Sequence, residues 1–371
     1  MRALILTLGT RGDLELFLTL GRALSARGHE VTVASSPFNA AAVERAGLQF
    51  AAAGNAGTRE QLVAALREAG RSTNLVERTR SFYEAWLRPQ LGAAIQAIAP
   101  LTKQTDVFIN NLKLVLRRGE NVLPGVSVTY DPPLQIDDLP RFGAQRAEVL
   151  DLVAMPQALI DPEYRWDARY RFTGFWTSPD HADKDSLLPR VQEFLAKGPA
   201  PIVITLGSMA FADPRAISRC IVEALALSGR RGIVVRGWSL EELDEIASPN
   251  ILVIDEAPYE LLFAGAAAVV HHGGVGTLAA VLRAGKPSII LPQVACQRVF
   301  GEILLRERLA AGVLAADALT PTGLASCIET ATTDDTLAAS AMNWRERLLR
   351  EDGAARAAEW IEAHLEGQRR D

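Results

Sequence analysis

The stretch from Ala266 to Ala284 limits the possible folds of this chain more than any other. An apolar run, Ala266-Ala267-Ala268-Val269-Val270, enters His271-His272-Gly273-Gly274-Val275-Gly276-Thr277 and leaves through the helix-like Leu278–Ala284. That order reads as a strand, a tight turn and a helix start, the repeating piece of an α/β protein. Glycines let backbone approach a ligand closely, and the first N–H groups of the following helix, at its positive dipole end, favour an anion such as phosphate. A glycine turn that merely joins strand to helix would look similar. Two histidines and a threonine at the same turn weigh toward a ligand.

Elimination narrows the kind of phosphate ligand. A P-loop needs a lysine in the turn, and the nearest here is Lys286, beyond the helix. The run Gly274-Val275-Gly276-Thr277-Leu278-Ala279 does match the glycine spacing of a dinucleotide fingerprint. The acidic residue expected about 20 positions on is missing, because Pro292-Gln293-Val294-Ala295-Cys296-Gln297 offers amides instead.

An internal echo supports two units. Leu6-Thr7-Leu8-Gly9-Thr10 is matched by Ile204-Thr205-Leu206-Gly207-Ser208, each closing an apolar run ahead of a helix-like stretch, and 371 residues are enough for two ordinary domains. The pattern predicts strands at Arg2–Leu8, Glu30–Ala34, Asp106–Asn110 and Gly125–Val128, with helices at Leu14–Ala26 and from about Arg59 to Ile98. Breakers crowd the stretch from Phe172 to Pro201, which reads as the interdomain linker. Beyond it, strands are expected at Pro201–Leu206, Gly232–Arg236, Ile251–Ile254, Val269–His271 and Ser288–Leu291, a helix at Pro214–Leu227, and mostly helix from Thr320 to the end.

A net charge of −5 gives no general attraction to nucleic acid. Cys220, Cys296 and Cys327 lack paired spacing, which argues against a disulfide framework or a zinc site. No stretch approaches the roughly 18 apolar residues of a membrane span, and Ala3–Leu8 is too short for a secretory core. The expectation is a cytoplasmic enzyme without stable membrane insertion.

Four segments then follow one another in order: Ala257-Pro258-Tyr259-Glu260-Leu261-Leu262-Phe263, His271 to Thr277, Arg283-Ala284-Gly285-Lys286-Pro287 and Leu291-Pro292. Together they resemble the donor-binding half of GT-B fold, nucleotide-sugar-dependent glycosyltransferases of the UDP-glycosyltransferase-like superfamily, of the bacterial natural-product, sterol and rhamnolipid type. Gly9-Thr10-Arg11-Gly12-Asp13 resembles the start of the same proteins. The similarity covers most of the chain and is weak between about Gly54 and Ala200. It implies an α/β GT-B fold of two Rossmann-like domains with parallel sheets facing across a cleft. The corresponding division is an acceptor-binding domain over 1–178, a linker over 179–200, a nucleotide-sugar-binding domain over 201–350, and a C-terminal helix over 351–371 that packs back on the first domain.

Carried over position by position, the resemblance places the donor diphosphate at Gly207, Ser208, His272, Gly274, Gly276 and Thr277. It places the nucleotide base near Trp238 and the Ala257-Pro258 loop, with Gly9, Thr10, Arg11 and Gly12 as further candidates for a diphosphate loop. Backbone N–H groups, the Thr277 hydroxyl and a His272 N–H could bind a pyrophosphate without a metal, and no cofactor is implied beyond the sugar donor itself. His271 reads as the packed last residue of its strand. Asp13 is the candidate base that takes the acceptor hydroxyl proton, with inversion at the anomeric carbon. An aspartate just before Leu14-Glu15-Leu16-Phe17-Leu18 also reads as a helix N-cap, which would weaken it as a base.

The chain departs from the family where Cys296-Gln297 stands in place of an acidic residue and glutamine. A thiol recognises a sugar hydroxyl poorly, which suggests a deoxysugar donor such as a dTDP-linked one, with Gln297 and Gln293 as polar contacts. The acceptor would be a hydrophobic small molecule or lipid. Its pocket would draw on the region from Gly54 to Pro140, with Phe82, Tyr83, Trp86, Asn110, Asn111 and Tyr130 as candidates that could equally be core. Two other readings stay open: a GT-B-like auxiliary or binding protein without transfer activity, and a sugar-nucleotide epimerase. A metal-dependent GT-A enzyme is disfavoured, because Asp183-Lys184-Asp185 has no strand before it.

Overall fold

The computed structural model describes residues 1–55, 57–72, 74–112, 114, 117–118, 121–129, 149–160, 170–177, 188–207, 211, 213–237 and 248–368. The chain forms two compact units: Met1–Ala65 with Phe82–Ser178 and Glu351–Asp371, and Leu66–Ser81 with Pro179–Arg350. The sequence division at 178 and 350 does not foresee that Leu66–Ser81 joins the second unit, since nothing in that polar helical stretch marks its tertiary partner.

The first unit contains strands β1 (Arg2–Leu6), β2 (Glu30–Ser35), β3 (Gln49–Ala52), β4 (Val107–Asn110), β7 (Gly125–Thr129), β8 (Val149–Val153) and β9 (Tyr170–Phe172), with a small antiparallel pair, β5 (Arg117–Arg118) and β6 (Asn121–Val122), aside. The main strands run β3-β2-β1-β4-β7-β8-β9 and every pairing is parallel. The central strands β1 and β4 are buried on both faces, which is why they read as near-continuous apolar runs. Ala3 and Ile5 pack with Phe17, Leu20 and Leu24 of the helix Arg11–Ala26 and with Ile361 and Leu365 of the C-terminal helix Gly353–Gln368. Leu4 and Leu6 pack on the opposite face with Ala94, Ile98 and Phe108.

The second unit contains β10 (Ile202–Thr205), β11 (Gly232–Val235), β12 (Ile251–Ile254), β13 (Ala268–His271), β14 (Ser288–Ile290) and β15 (Ala310–Val313). They run β12-β11-β10-β13-β14-β15, again all parallel. This is the doubly wound order, which starts in the middle, goes one way and then returns to go the other. Ile202, Ile204, Val270 and Ile289 meet the helices Pro214–Leu227 and Pro321–Thr333 on one face, while Val203, Ile233 and Val269 meet Phe194, Phe263 and Val281 on the other. In such sheets ligands bind beyond the carboxyl ends of the strands, where the strand order reverses. In this unit that point lies between β10 and β13, the strands that lead to Gly207 and His272.

Candidate functional site

Five loops of the second unit carry the residues singled out by sequence, and each follows the carboxyl end of a strand. Gly207 follows β10, Gly237 follows β11, Ala257-Pro258 follows β12, His272–Thr277 follows β13, and Gln293–Gln297 follows β14. The His272 ring lies in a slot made by absent side chains. A Cβ on Gly207 would stand 2.6 Å from its Cε1, and one on Gly274 would stand 2.3 Å from its Nε2. Gly207 also has φ +64°, a left-handed conformation that favours glycine. The β10 and β11 loops touch by backbone, since a Cβ on Gly237 would come 2.4 Å from the Gly207 carbonyl oxygen.

The two histidines have different surroundings. His271 accepts the Gly273 N–H at Nδ1 (3.2 Å), so its proton sits on Nε2 and is donated to Ser288 Oγ at 3.0 Å. Burial, helped by neighbouring His272, pushes its pKa down to about 3. It is a satisfied structural residue at the end of β13. His272 is 9% exposed, and its buried Nδ1 has no hydrogen-bond partner among the described residues. Burial pushes its pKa down to about 4, so the ring is neutral at pH 7. A buried ring nitrogen without a partner is rare enough to need an explanation.

The helix Val275–Ala284 begins directly beside it. Its N-cap is Gly274, with no side chain to cap the first N–H groups, and the first backbone bond back into the turn is from Leu278 N–H to the Gly274 carbonyl (2.8 Å). The N–H groups of Val275, Gly276 and Thr277 therefore lack intrahelical acceptors and present the positive end of the helix. Gly276 is exposed, and a Cβ there would meet nothing within 4 Å. Thr277 is the third helical residue and is buried. His272, Gly274, Gly276 and Thr277 thus lie at a single turn.

Pro258 is the N-cap of the helix Tyr259–Ala264, and the Tyr259 hydroxyl hydrogen-bonds Thr205 Oγ1 at 2.7 Å, tying the β12 loop to the end of β10. Ala257 is partly buried against the core that contains Phe263. Gln293 and Gln297 are buried and largely occupied by protein groups. Gln297, third residue of the helix Ala295–Arg306, accepts the N–H groups of Gln293 (2.7 Å) and Val294 (3.3 Å) at Oε1. Gln293 donates Nε2 to the Leu291 and Pro292 carbonyls (3.4 Å each) and accepts Arg78 Nη1 at Oε1 (3.2 Å). Read from sequence as sugar contacts, the two amides have these atoms engaged within their own loop and with Arg78. Arg78 was not singled out by sequence, because nothing in Leu75-Val76-Glu77-Arg78-Thr79-Arg80 separates it from Arg80. Ser208, Trp238, Tyr130 and Asp183–Asp185 lie outside the described residues.

In the first unit the N-cap reading of Asp13 is corrected. The helix starts at Arg11 with Thr10 as its N-cap, and Asp13 is its third residue. Its Oδ2 accepts the Thr10 N–H at 2.6 Å and the Thr10 hydroxyl at 3.1 Å, so the carboxylate reaches back over the helix start as in a capping box. A Cβ on Gly9 would fall 2.1 Å from that oxygen, so glycine is needed there for Asp13 to take this position. Arg11 and Gly12 are exposed, and Arg11 pairs with Glu15 at 3.5 Å. Of the acceptor-pocket candidates, Trp86 donates Nε1 to the Leu8 carbonyl (3.0 Å), and Asn110 Oδ1 accepts the Leu112 and Leu114 N–H groups (3.0 and 2.9 Å). Among the described residues no group of three or more His, Cys, Asp or Glu side chains could hold a metal ion, and no helix is long and apolar enough to cross a membrane.

Comparison with known proteins agrees with this geometry. Residues 232–363 match the family described as "Erythromycin biosynthesis protein CIII-like, C-terminal domain", and residues 3–100 match "Glycosyltransferase family 28 N-terminal domain". The chain is 26% identical to O-mycaminosyltylonolide 6-deoxyallosyltransferase of Streptomyces fradiae, over 99% of this chain and 98% of that protein. It is 37% identical to vancomycin aglycone glucosyltransferase of Amycolatopsis orientalis over 50% of this chain and 44% of that protein. It is 26% identical to sterol 3-beta-glucosyltransferase of Emericella nidulans, over 97% of this chain but only 30% of that longer protein. Among solved structures, spinosyn forosaminyltransferase SpnP superposes with TM-score 0.72 at 18% identity, covering 98% of this chain and 99% of that one. The glycosyltransferase VinC, solved in complex with DTDP, superposes with TM-score 0.67 at 19% identity, covering 99% and 100%.

The fold is therefore GT-B. The chain is a UDP-glycosyltransferase-like GT-B protein, an enzyme of the glycosyltransferase class.

Proposed function

We propose that this enzyme transfers a sugar from a nucleotide-diphosphate donor to a hydroxyl of a hydrophobic small-molecule or lipid acceptor, with inversion and without a metal. The observation that carries the reading is the neutral His272, whose buried Nδ1 has no partner among the described residues, beside the uncapped start of the helix Val275–Ala284. Diphosphate oxygens would accept the free N–H groups of that helix start, the Thr277 hydroxyl and a His272 N–H. Each of these donors is fixed before the sugar leaves, so charge growing on the leaving group is stabilised without reorganisation. A neutral ring donates a hydrogen bond without surrendering its proton.

Asp13 would take the proton from the attacking hydroxyl. The Thr10 N–H and hydroxyl hold its carboxylate in one place, in space that the absent Gly9 side chain leaves, as a general base requires. The acceptor class is proposed from relatives named for macrolide, glycopeptide and sterol substrates. The donor is proposed as a deoxysugar, because Cys296 leaves the loop after β14 without a carboxylate for a sugar hydroxyl.

Mass spectrometry of the purified chain with a panel of UDP- and dTDP-sugars and a library of hydrophobic alcohols tests the reading. Sugar transfer to an added alcohol supports it. A sugar product formed without any acceptor would point to an epimerase, and no turnover of any nucleotide sugar would point to a binding protein. Unchanged donor preference in Cys296→Asp would remove the deoxysugar argument.

A further inference from the structure

The second unit carries a buried cation, Arg78, outside the turns that follow its strands. Arg78 lies on the helix Leu75–Phe82, and its side chain is 7% exposed. Its Nε donates to the Ser72 carbonyl, and its Nη1 donates to Gln293 Oε1 at 3.2 Å and to the Gln293 carbonyl at 3.5 Å. All three acceptors are neutral oxygens. Among the described residues no carboxylate lies within ion-pair distance of the guanidinium, Nη2 makes no hydrogen bond, and Asp317 acts on it only at longer range. A guanidinium stays charged when buried, and burying a charge without a counter-ion is expensive. The loop Pro292–Arg298 beside it contains no acidic residue.

A short line of contacts joins this cation to the His272 turn. Gln293, which accepts from Arg78, donates its N–H to Gln297 Oε1 at 2.7 Å. Gln297 in turn packs on the turn itself, its carbonyl oxygen 3.1 Å and its Cβ 3.4 Å from where a Gly273 Cβ would stand. Gln293 is held from the other side by the Leu291 and Pro292 carbonyls, which fixes its Oε1 toward Arg78.

We propose that Arg78 supplies the counter-charge for an oxyanion of the bound donor, with Gln293 orienting the guanidinium. This rests on the donor reading above. Two donor oxyanions have the required chemistry, the diphosphate and the carboxylate of a uronic-acid sugar, and both are recognised by the same planar set of N–H groups.

Calorimetric titration of UDP, dTDP, UDP-glucose and UDP-glucuronate into the full wild-type chain, Arg78→Gln and Arg78→Lys tests the proposal, with thermal melting of each variant as a control on folding. Arg78→Gln is expected to weaken at least one ligand by about tenfold or more, with partial recovery in Arg78→Lys. An equal loss for every ligand that the wild type binds assigns the diphosphate; a loss confined to UDP-glucuronate assigns the sugar carboxylate. Wild-type binding that both folded variants reproduce overturns this inference alone. Wild-type protein that binds none of these ligands, dTDP included, overturns the donor reading and this inference together. Where Arg78→Gln does not fold, a tenfold or greater loss in Arg78→Lys supports the proposal, and unchanged affinity in that variant overturns it.

Discussion

Single side chains at the turn after β13 show why glycine recurs there. Gly207 and Gly274 leave the space that the His272 ring fills, so Gly207→Ala should displace the ring and strain a left-handed backbone. The expected effects are a stability loss on the order of 1–2 kcal/mol in thermal or chemical unfolding, and weaker nucleotide binding. His272→Gln should fold normally yet lower kcat/KM on the order of 10²-fold, the usual effect of removing one donor to developing negative charge. The pH behaviour follows from the same burial. His272 titrates near 4 in the folded protein against an ordinary 6.5, so its ring carbon–hydrogen NMR signals should not shift between pH 8 and pH 5. An unfolded histidine binds a proton as the pH falls below 6.5 and the folded one does not, so this residue contributes stability above 6.5 that is lost as the pH falls toward about 4. Asp13→Asn retains an oxygen for the Thr10 N–H and should melt close to wild type, while losing on the order of 10²-fold or more in kcat if Asp13 is the base. The turn residues were legible in the sequence because glycine spacing is a strong local signal. The place of Asp13 was not, since Thr10, Asp13 and the apolar run all suit a helix start and only the backbone shows that the helix opens at Arg11.

The helix Val275–Ala284 separates stability from ligand binding. Its start is uncapped and Gly276 has room for a side chain, so Gly276→Asp should place a carboxylate at the positive helix end and stabilise the fold by about 0.3–1 kcal/mol. The same charge would repel a diphosphate. A raised melting temperature together with weakened UDP or dTDP binding, and little change in either for Gly276→Ala, is the expected result; tighter nucleotide binding by Gly276→Asp would contradict an anion site there. Strands built from Val, Ile and Leu, such as β11 to β14, were readable to within a residue or so. The strands missed were β3, β8, β9 and β15 of the two main sheets and the two-residue pair β5 and β6. The Gln49-Phe50-Ala51-Ala52 and Ala310-Ala311-Gly312-Val313 stretches carry few β-branched residues, and Tyr170-Arg171-Phe172 is only three residues long, so pairing with a neighbour rather than local preference makes them strands.

At the scale of the whole chain, the echo between Leu6–Thr10 and Ile204–Ser208 falls at equivalent places, since β1 and β10 are the first and central strands of two sheets that open in the same order. Sequence pattern could show that doubling but not the route of the chain. The first unit is completed by residues from the far end: Ala354, Ala357, Ala358, Ile361 and Leu365 of the C-terminal helix are buried in the same core as Phe17 and Leu24. Arg27 and His29 clamp that helix through Glu362, at 2.6 and 2.7 Å. The Arg27 hydrogen bond, with that of His29, holds the Glu362 carboxyl down at about 2 against an ordinary 4.5, so the clamp contributes stability above 4.5 that is lost as the pH falls toward 2. Melting of Glu362→Gln should therefore fall below wild type at pH 7 and converge with it in acid. Deletion of Gly353–Gln368 should leave the first unit unable to fold.

If an activated sugar is gripped by its diphosphate at the His272 turn, a crystal structure of the chain with UDP or dTDP will show it. Diphosphate density is expected within hydrogen-bond reach of the Gly276 and Thr277 N–H groups and the His272 ring. Nucleotide bound elsewhere, with that turn filled only by water, would contradict it.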